Sequence, residues 1–374
     1  MIHFYFRDKL INDFFYKDVF CVPVEISKQL NIPIELHFIW TDKNLKSPYI
    51  EYKHMSIIIH GSYLKMFLYF LKNIKKIKLL WLFHIYKHSI LFGFFYKLFN
   101  KKWKIYVKWD FNKLSLIHLL KLQKKNKTVI SYFLNKIDII SFENRDLYNY
   151  FQQNIIFNNH KIILQNSLYP PENIKLNNYK EKENIILVVW RVYFEKLKRY
   201  KFLLQSLENI TNQLKDWKVI FIWNTSWIID WIEHDFIEKN KNIIENLMNK
   251  WVKIRFLWAI WNREILYNYF NKSKIFCISS PSEWDPLVQY EAMYYSNIMV
   301  STDTGTIKNN YYNKGLFISD INDQDGYTQN LKNALELTKD KDIENIYKNI
   351  NHHCVNNFSR TKNVNQLITI LKWN

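Results

Sequence analysis

The stretch Ser280-Pro-Ser-Glu-Trp-Asp-Pro-Leu-Val-Gln-Tyr-Glu-Ala-Met293 carries two carboxylates, Glu283 and Glu291, with seven residues between them. The run before it, Lys274-Ile-Phe-Cys-Ile-Ser279, is short and apolar and ends at Ser and Pro, which predicts a buried strand. The residues from Leu287 to Met293 predict a helix. Glu283 is therefore expected on the loop that leaves a strand, and Glu291 one or two turns into the next helix. Ligands of open α/β sheets gather at that edge, where strand ends meet helix N-termini. The continuation Ile298-Met-Val-Ser-Thr-Asp-Thr-Gly305 predicts another strand and a small polar turn.

The same alternation extends in both directions. Downstream of residue 184, strands are expected near 185–190, 218–223, 252–258, 274–279 and 298–302, with helical stretches between them. Upstream, candidate strands are 34–39, 56–60, 79–84, 104–108 and 138–141, separated by Lys-rich helical segments. The pattern breaks at Leu168-Tyr-Pro-Pro-Glu172 and at the polar run 175–184. This predicts an α/β protein with Rossmann-like domains at 1–170 and 185–355, a linker at 171–184 and a terminal helix in 356–374.

Taken together, these residues resemble the E-x7-E signature of glycosyltransferase family 4, the glycosyl transferases group 1 of GT-B fold. That motif usually reads P-S-x-x-E-G-F-G-L-V-x-x-E-A-M. The departures here are Trp284 for glycine and Asp285 for an aromatic. The resemblance implies two Rossmann-like domains facing across a cleft, with a C-terminal helix crossing back. It also implies a retaining enzyme that moves a hexose from a nucleotide sugar to a saccharide or lipid-linked acceptor in cell-surface glycan synthesis. No metal cofactor is expected.

Site roles follow from the resemblance residue by residue. Glu283 contacts the donor sugar and Glu291 the ribose, while the amides of Leu287 and Val288 face the phosphate or sugar. Trp190-Arg-Val-Tyr-Phe-Glu-Lys196 stands where the family has G-R-x4-K, so Arg191 and Lys196 are expected on the diphosphate. A diphosphate leaving without a metal needs such cations and amides to carry its charge. Asn224, in Trp223-Asn-Thr-Ser-Trp227, borders the nucleotide, and Phe256 to Glu264 resembles the region beside the base. In the first domain, His84 and Asp110 end expected strands and are the candidates on the acceptor side.

Tryptophan usage is anomalous. The chain has 5 Gly and 14 Trp in 374 residues, where average usage gives roughly 26 Gly. Trp190, Trp223 and Trp258 each end an expected strand, at places where the resembled family has glycine. Glycine there lets the backbone turn tightly and approach a phosphate. The matched set, with Trp284, predicts that these positions are glycine in the native protein. UGA is read as glycine in some genetic codes and as tryptophan in others.

The net charge is +19. A strongly basic chain attracts phosphorylated substrates, anionic lipid or nucleic acid. Abundant Lys, Asn, Ile, Phe and Tyr also match the codon bias of an AT-rich genome. Regular βα alternation with paired glutamates argues against a nucleic-acid binder. Cys21, Cys277 and Cys354 have no zinc or disulfide spacing, and His352-His353-Cys354 reads as a solvated helix end. His84, Lys87, His88 and Lys97 break the most apolar run, 79–99, so no membrane span is expected. A cytoplasmic protein is expected. The Lys-rich apolar stretch 63–80 offers a peripheral contact at the inner membrane face, or else a domain-packing helix. The competing functions are a nucleotide-sugar epimerase of GT-B fold and a catalytically inactive nucleotide-sugar-binding module.

Overall fold

The computed structural model describes the chain except residues 7–8, 12–13, 16, 43–53, 110–126, 155–159, 168–174, 191–198, 224–236, 258–259, 261, 284 and 372–374, and the side chains of 127–130, 190 and 223. It divides into two compact units, Met1–Tyr169 with Arg360–Asn374, and Pro170–Ser359.

The first unit is built on β1 (Ile2–Tyr5), β2 (Ile34–Phe38), β3 (Met55–Ile59), β4 (Leu79–Phe83), β5 (Lys104–Trp109), β6 (Ile139–Phe142) and β7 (His160–Ile163). They form one parallel sheet in the order β3-β2-β1-β4-β5-β6-β7. Alternate residues feed two cores. Leu79, Trp81 and Phe83 pack on one face, while Leu80 and Leu82 pack on the other. This two-sided burial explains why the strands read as unbroken apolar runs.

The C-terminal helix Arg360–Leu371 buries Val364, Leu367 and Leu371 in the core that holds Phe4 and Trp81. Lys104 donates to the carbonyls of Ile370 and Leu371 at 3.1 Å each. That places a cation on the orphan carbonyls at the negative end of the helix. β1 and β7 were not expected from the sequence. Each is four residues long and interrupted by polar side chains, His3 in β1 and His160 and Lys161 in β7.

The second unit holds β8 (Glu183–Trp190), β9 (Lys218–Trp223), β10 (Lys253–Leu257), β11 (Ser273–Ile278), β12 (Ile298–Thr302) and β13 (Leu316–Ser319). Their order is β10-β9-β8-β11-β12-β13, all parallel. β13 too escaped the sequence reading. Lys182, buried just before β8, donates to the carbonyls of Ser273 at 2.8 Å and Tyr295 at 2.6 Å. It ties the starts of β8 and β11 to the end of the Leu287–Tyr294 helix.

One helix end stands out. The helix Lys241–Asn249 closes with the N–H of Val252 on the Leu247 carbonyl and that of Trp251 on the Met248 carbonyl. This is the Schellman pattern, whose left-handed residue is usually glycine. Here it is Trp251, with φ of 69° and 81% exposure.

Candidate active site at the C-terminal edge of the second sheet

In the second sheet the order reverses between β8 and β11. From β8 the chain proceeds outward to β9 and β10, then returns to the other side of β8 with β11. Open α/β sheets bind ligands at the C-terminal edge beside such a reversal. Phe276 pairs with Leu187, so the C-terminal ends of β8 and β11 lie side by side. Arg191 and Lys196 follow Trp190, but both lie outside the described residues. Glu283 follows Ile278. Glu291 lies in the helix Leu287–Tyr294, which leaves the same loop.

A short hydrogen-bonded frame shapes the loop. The Ser280 hydroxyl donates to Glu283 Oε1 at 2.8 Å, and the Glu283 N–H donates to Thr304 Oγ1 at 2.5 Å. Thr302 Oγ1 donates to the Ser280 carbonyl at 2.5 Å. These contacts tie the loop after β11 to the turn after β12. Gly305 in that turn has φ of 58°, a left-handed conformation that costs other residues about 1 kcal/mol or more.

Asp285 is the hub beneath the loop. It is 6% exposed. Its Oδ1 accepts from Tyr290 Oη at 2.6 Å, Thr306 Oγ1 at 2.6 Å and Gln289 Nε2 at 2.7 Å. The departure at this position thus has a structural cause: a buried carboxylate joins the Glu291 helix to the Thr302–Thr306 turn.

Glu291 is 4% exposed, and its Oε1 accepts from Arg263 Nη1 at 3.0 Å. Arg263 opens the helix Arg263–Lys272, capped by Asn262, which accepts from the Glu264 N–H at 2.9 Å. A buried carboxylate stays ionised at modest cost only when paired in this way. Arg263 falls within the 256–264 stretch expected beside the base, with no role of its own expected there. Its position between a strand and a helix was the available signal. Leu287 and Val288 are half-buried at the first turn of their helix, where backbone N–H groups have no intrahelical acceptor.

The remaining candidates divide between described and undescribed residues. Asp110, Asn224, Trp258 and Trp284 lie outside the described residues. The backbones of Trp190 and Trp223 are paired in register at the ends of β8 and β9, and their side chains are not described. The depression lined by Asp303, Asp320, Ile321, Asn322 and Asp323 is acidic and ill suited to a diphosphate.

His84 belongs to the first unit. It follows β4, beside the reversal between β1 and β4. Its φ of 63° is left-handed, and its N–H donates to the Lys108 carbonyl at 2.9 Å. Burial, with Lys108 and His88 nearby, pushes its pKa down to about 3, so the imidazole is neutral. Lys108 is 1% exposed and lies 3.2 Å from Asp18, itself 3% exposed, and 4.0 Å from Glu143. Buried charges and a strained residue at one sheet edge mark a second candidate surface. The residues that complete it, Asp18, Lys108 and Glu143, come from three separate elements.

Among the described residues no helix is long and apolar enough to cross a membrane. His352-His353-Cys354 forms no metal group: Cys354 is buried and His353 Nε2 lies 3.0 Å from the Asn310 carbonyl.

Residues 171–353 match the family model described as glycosyl transferases group 1. No curated protein sequence matches the chain. Among solved structures it resembles a glycosyltransferase from Rickettsia africae, with 13% identity, TM-score 0.69, and 99% and 98% of the two chains covered. It also resembles the trehalose-6-phosphate protein from E. coli bound with UDP-2-fluoro glucose, with 11% identity, TM-score 0.70, and 100% and 99% covered. A third is a lipopolysaccharide outer core galactosyltransferase, with 16% identity, TM-score 0.61, and 98% and 99% covered. The chain's two parallel-sheet Rossmann-like units match the GT-B fold.

Proposed function

We propose that this chain, a glycosyltransferase by the group 1 domain it carries over residues 171–353, is a retaining hexosyltransferase of family 4. It moves a hexose from a nucleotide sugar to a saccharide or lipid-linked acceptor in cell-surface polysaccharide synthesis. The observation that carries this reading is the seating of Glu283 and Glu291 after β11, beside the end of β8, where the strand order reverses. Glu283 accepts from donor-sugar hydroxyls. Glu291, pre-oriented by Arg263, accepts from the ribose. Arg191, Lys196 and the first-turn amides of Leu287 and Val288 stabilise the departing diphosphate, with Asn224 beside the nucleotide. The leaving phosphate takes the acceptor's proton, and the transfer needs no metal.

In the first unit, neutral His84 and the charged set Asp18, Lys108 and Glu143, with Asp110, bind acceptor hydroxyls. The protein works in the cytoplasm at the inner membrane face. The exposed apolar rows Leu64 and Leu68, and Leu91, Phe94 and Leu98, recur at helical spacing beside lysines, which supports a peripheral contact.

The test is a thermal-shift panel of UDP-, GDP- and dTDP-sugars, UDP-glucose first, followed by product analysis. One donor is expected to raise Tm, and Glu283→Gln to lower kcat at least 100-fold. A panel without any shift or transfer would overturn the reading. Conversion of a donor alone into its epimer would replace transfer with epimerisation.

A further inference from the structure

Parallel strands covered on both faces carry near-continuous apolar runs. β1 and β2 break that rule on one face. His3 lies opposite Glu35, and Tyr5 opposite His37, in the parallel register. The two-residue repeat of a strand therefore brings His3, Glu35 and His37 to the same side of the sheet. His3 is 1% exposed, His37 0%, and the Glu35 side chain 17%.

Their ligating atoms form a tight triangle. His3 Nδ1 lies 3.0 Å from His37 Nε2 and 3.3 Å from Glu35 Oε2, and the third edge, His37 Nε2 to Glu35 Oε2, is 3.4 Å. Tetrahedral zinc with bonds of about 2.0–2.1 Å spaces its ligand atoms about 3.3–3.4 Å apart. The triangle has the size of one face of that tetrahedron.

The surroundings are those of a ligand set held in place. His37 Nδ1 lies 3.1 Å from His60 Nε2, and the Tyr69 hydroxyl donates to Glu35 Oε2 at 3.0 Å. Such outer contacts fix the ring orientation and tautomer of a ligating histidine. Tyr5 stacks on the His37 ring with centroids 4.2 Å apart. His3 Nε2 is buried without a hydrogen-bond partner.

We propose that His3, Glu35 and His37 form a zinc site that pins β1 to β2 in the first unit. Water is the fourth ligand, because Glu35 is the member of the set that solvent reaches. The metal holds β1 against β2, and the sugar transfer proposed above needs none. Its ligands come from the first halves of two neighbouring strands and from the last residue but one of β2.

The experiment uses the full chain, stripped with a chelator and titrated with Zn2+ alone. One equivalent is expected to bind and to raise Tm. Co2+ in its place is expected to give the intense visible bands of four-coordinate cobalt. Glu35→Gln and His37→Gln are each expected to weaken Zn2+ binding at least tenfold. Should His37→Gln fail to fold, His3→Gln and Glu35→Gln carry the comparison. A wild-type chain with no stoichiometric Zn2+ and no Tm change would overturn the proposal. So would variants that bind Zn2+ as tightly as wild type, since the metal would then sit on other histidines.

Discussion

Arg263 and Glu291 are 28 positions apart in the chain and meet at 3.0 Å. Both side chains are largely buried, so each is costly without the other. Arg263→Ala and Glu291→Gln are each expected to weaken donor binding about 10- to 100-fold. The double variant is expected to be no worse than the weaker single, with a coupling of about 1–3 kcal/mol. Additive losses in a donor titration would show that the pair does not act as a unit. Trp251 poses a different question. A bulky residue with positive φ is strained, yet the 81% exposed indole gains little burial in return. Asn31 and Ser296 also have positive φ, but they are small and polar. Trp251→Gly is expected to stabilise the chain by about 1 kcal/mol, read as a rise in urea midpoint. A fall would show that the indole belongs there. The same reasoning predicts UGA in the coding DNA at 251, as at 190, 223, 258 and 284. UGG at these positions would end the idea.

Asp285 shows how a loop, a helix and a turn become one element. Three donors from the Leu287–Tyr294 helix and the Thr306 turn converge on its Oδ1. Asp285→Ala leaves the Tyr290 and Thr306 hydroxyls without this acceptor, at about 1–3 kcal/mol for each unsatisfied group, while Gln289 Nε2 keeps Thr306 Oγ1 at 2.9 Å. A loss of about 3 kcal/mol is expected in chemical unfolding, with Asp285→Asn falling between. A change within about 0.5 kcal/mol would mean that other groups hold the loop. The strand-loop-helix order around the two glutamates was readable, because hydrophobic runs and Pro-Ser punctuation are local signals. The hub was not, because its partners Thr306 and Asn310 lie 21 and 25 residues away.

Buried neutral histidines also tie stability to pH for the whole chain. His84 titrates at about 3 when folded, against an ordinary 6.5. Below 6.5 the unfolded chain takes up a proton that the folded chain refuses. Stability is therefore full above 6.5 and falls as pH drops toward 3, by at most about 1.4 kcal/mol per pH unit for this group. His84→Gln is expected to flatten urea midpoints measured between pH 7 and 5. An unchanged slope would assign the dependence to other groups.

The α/β class and the alternation of strands and helices were legible because burial on both sheet faces demands apolar runs, and such runs are visible residue by residue. Four residues carry little pattern: of the equally short β1, β6, β7 and β13, β6 was expected and the other three were not. The order of strands, and with it the meeting of the β8 and β11 ends, depends on crossovers that no local run encodes. The same holds for the ion pair at Glu291, for the charges around Lys108 and for the His3, Glu35 and His37 triangle. In each, the partners are brought together by sheet register or helix packing across tens of residues. Contact chemistry of that kind exists only once the chain has closed on itself.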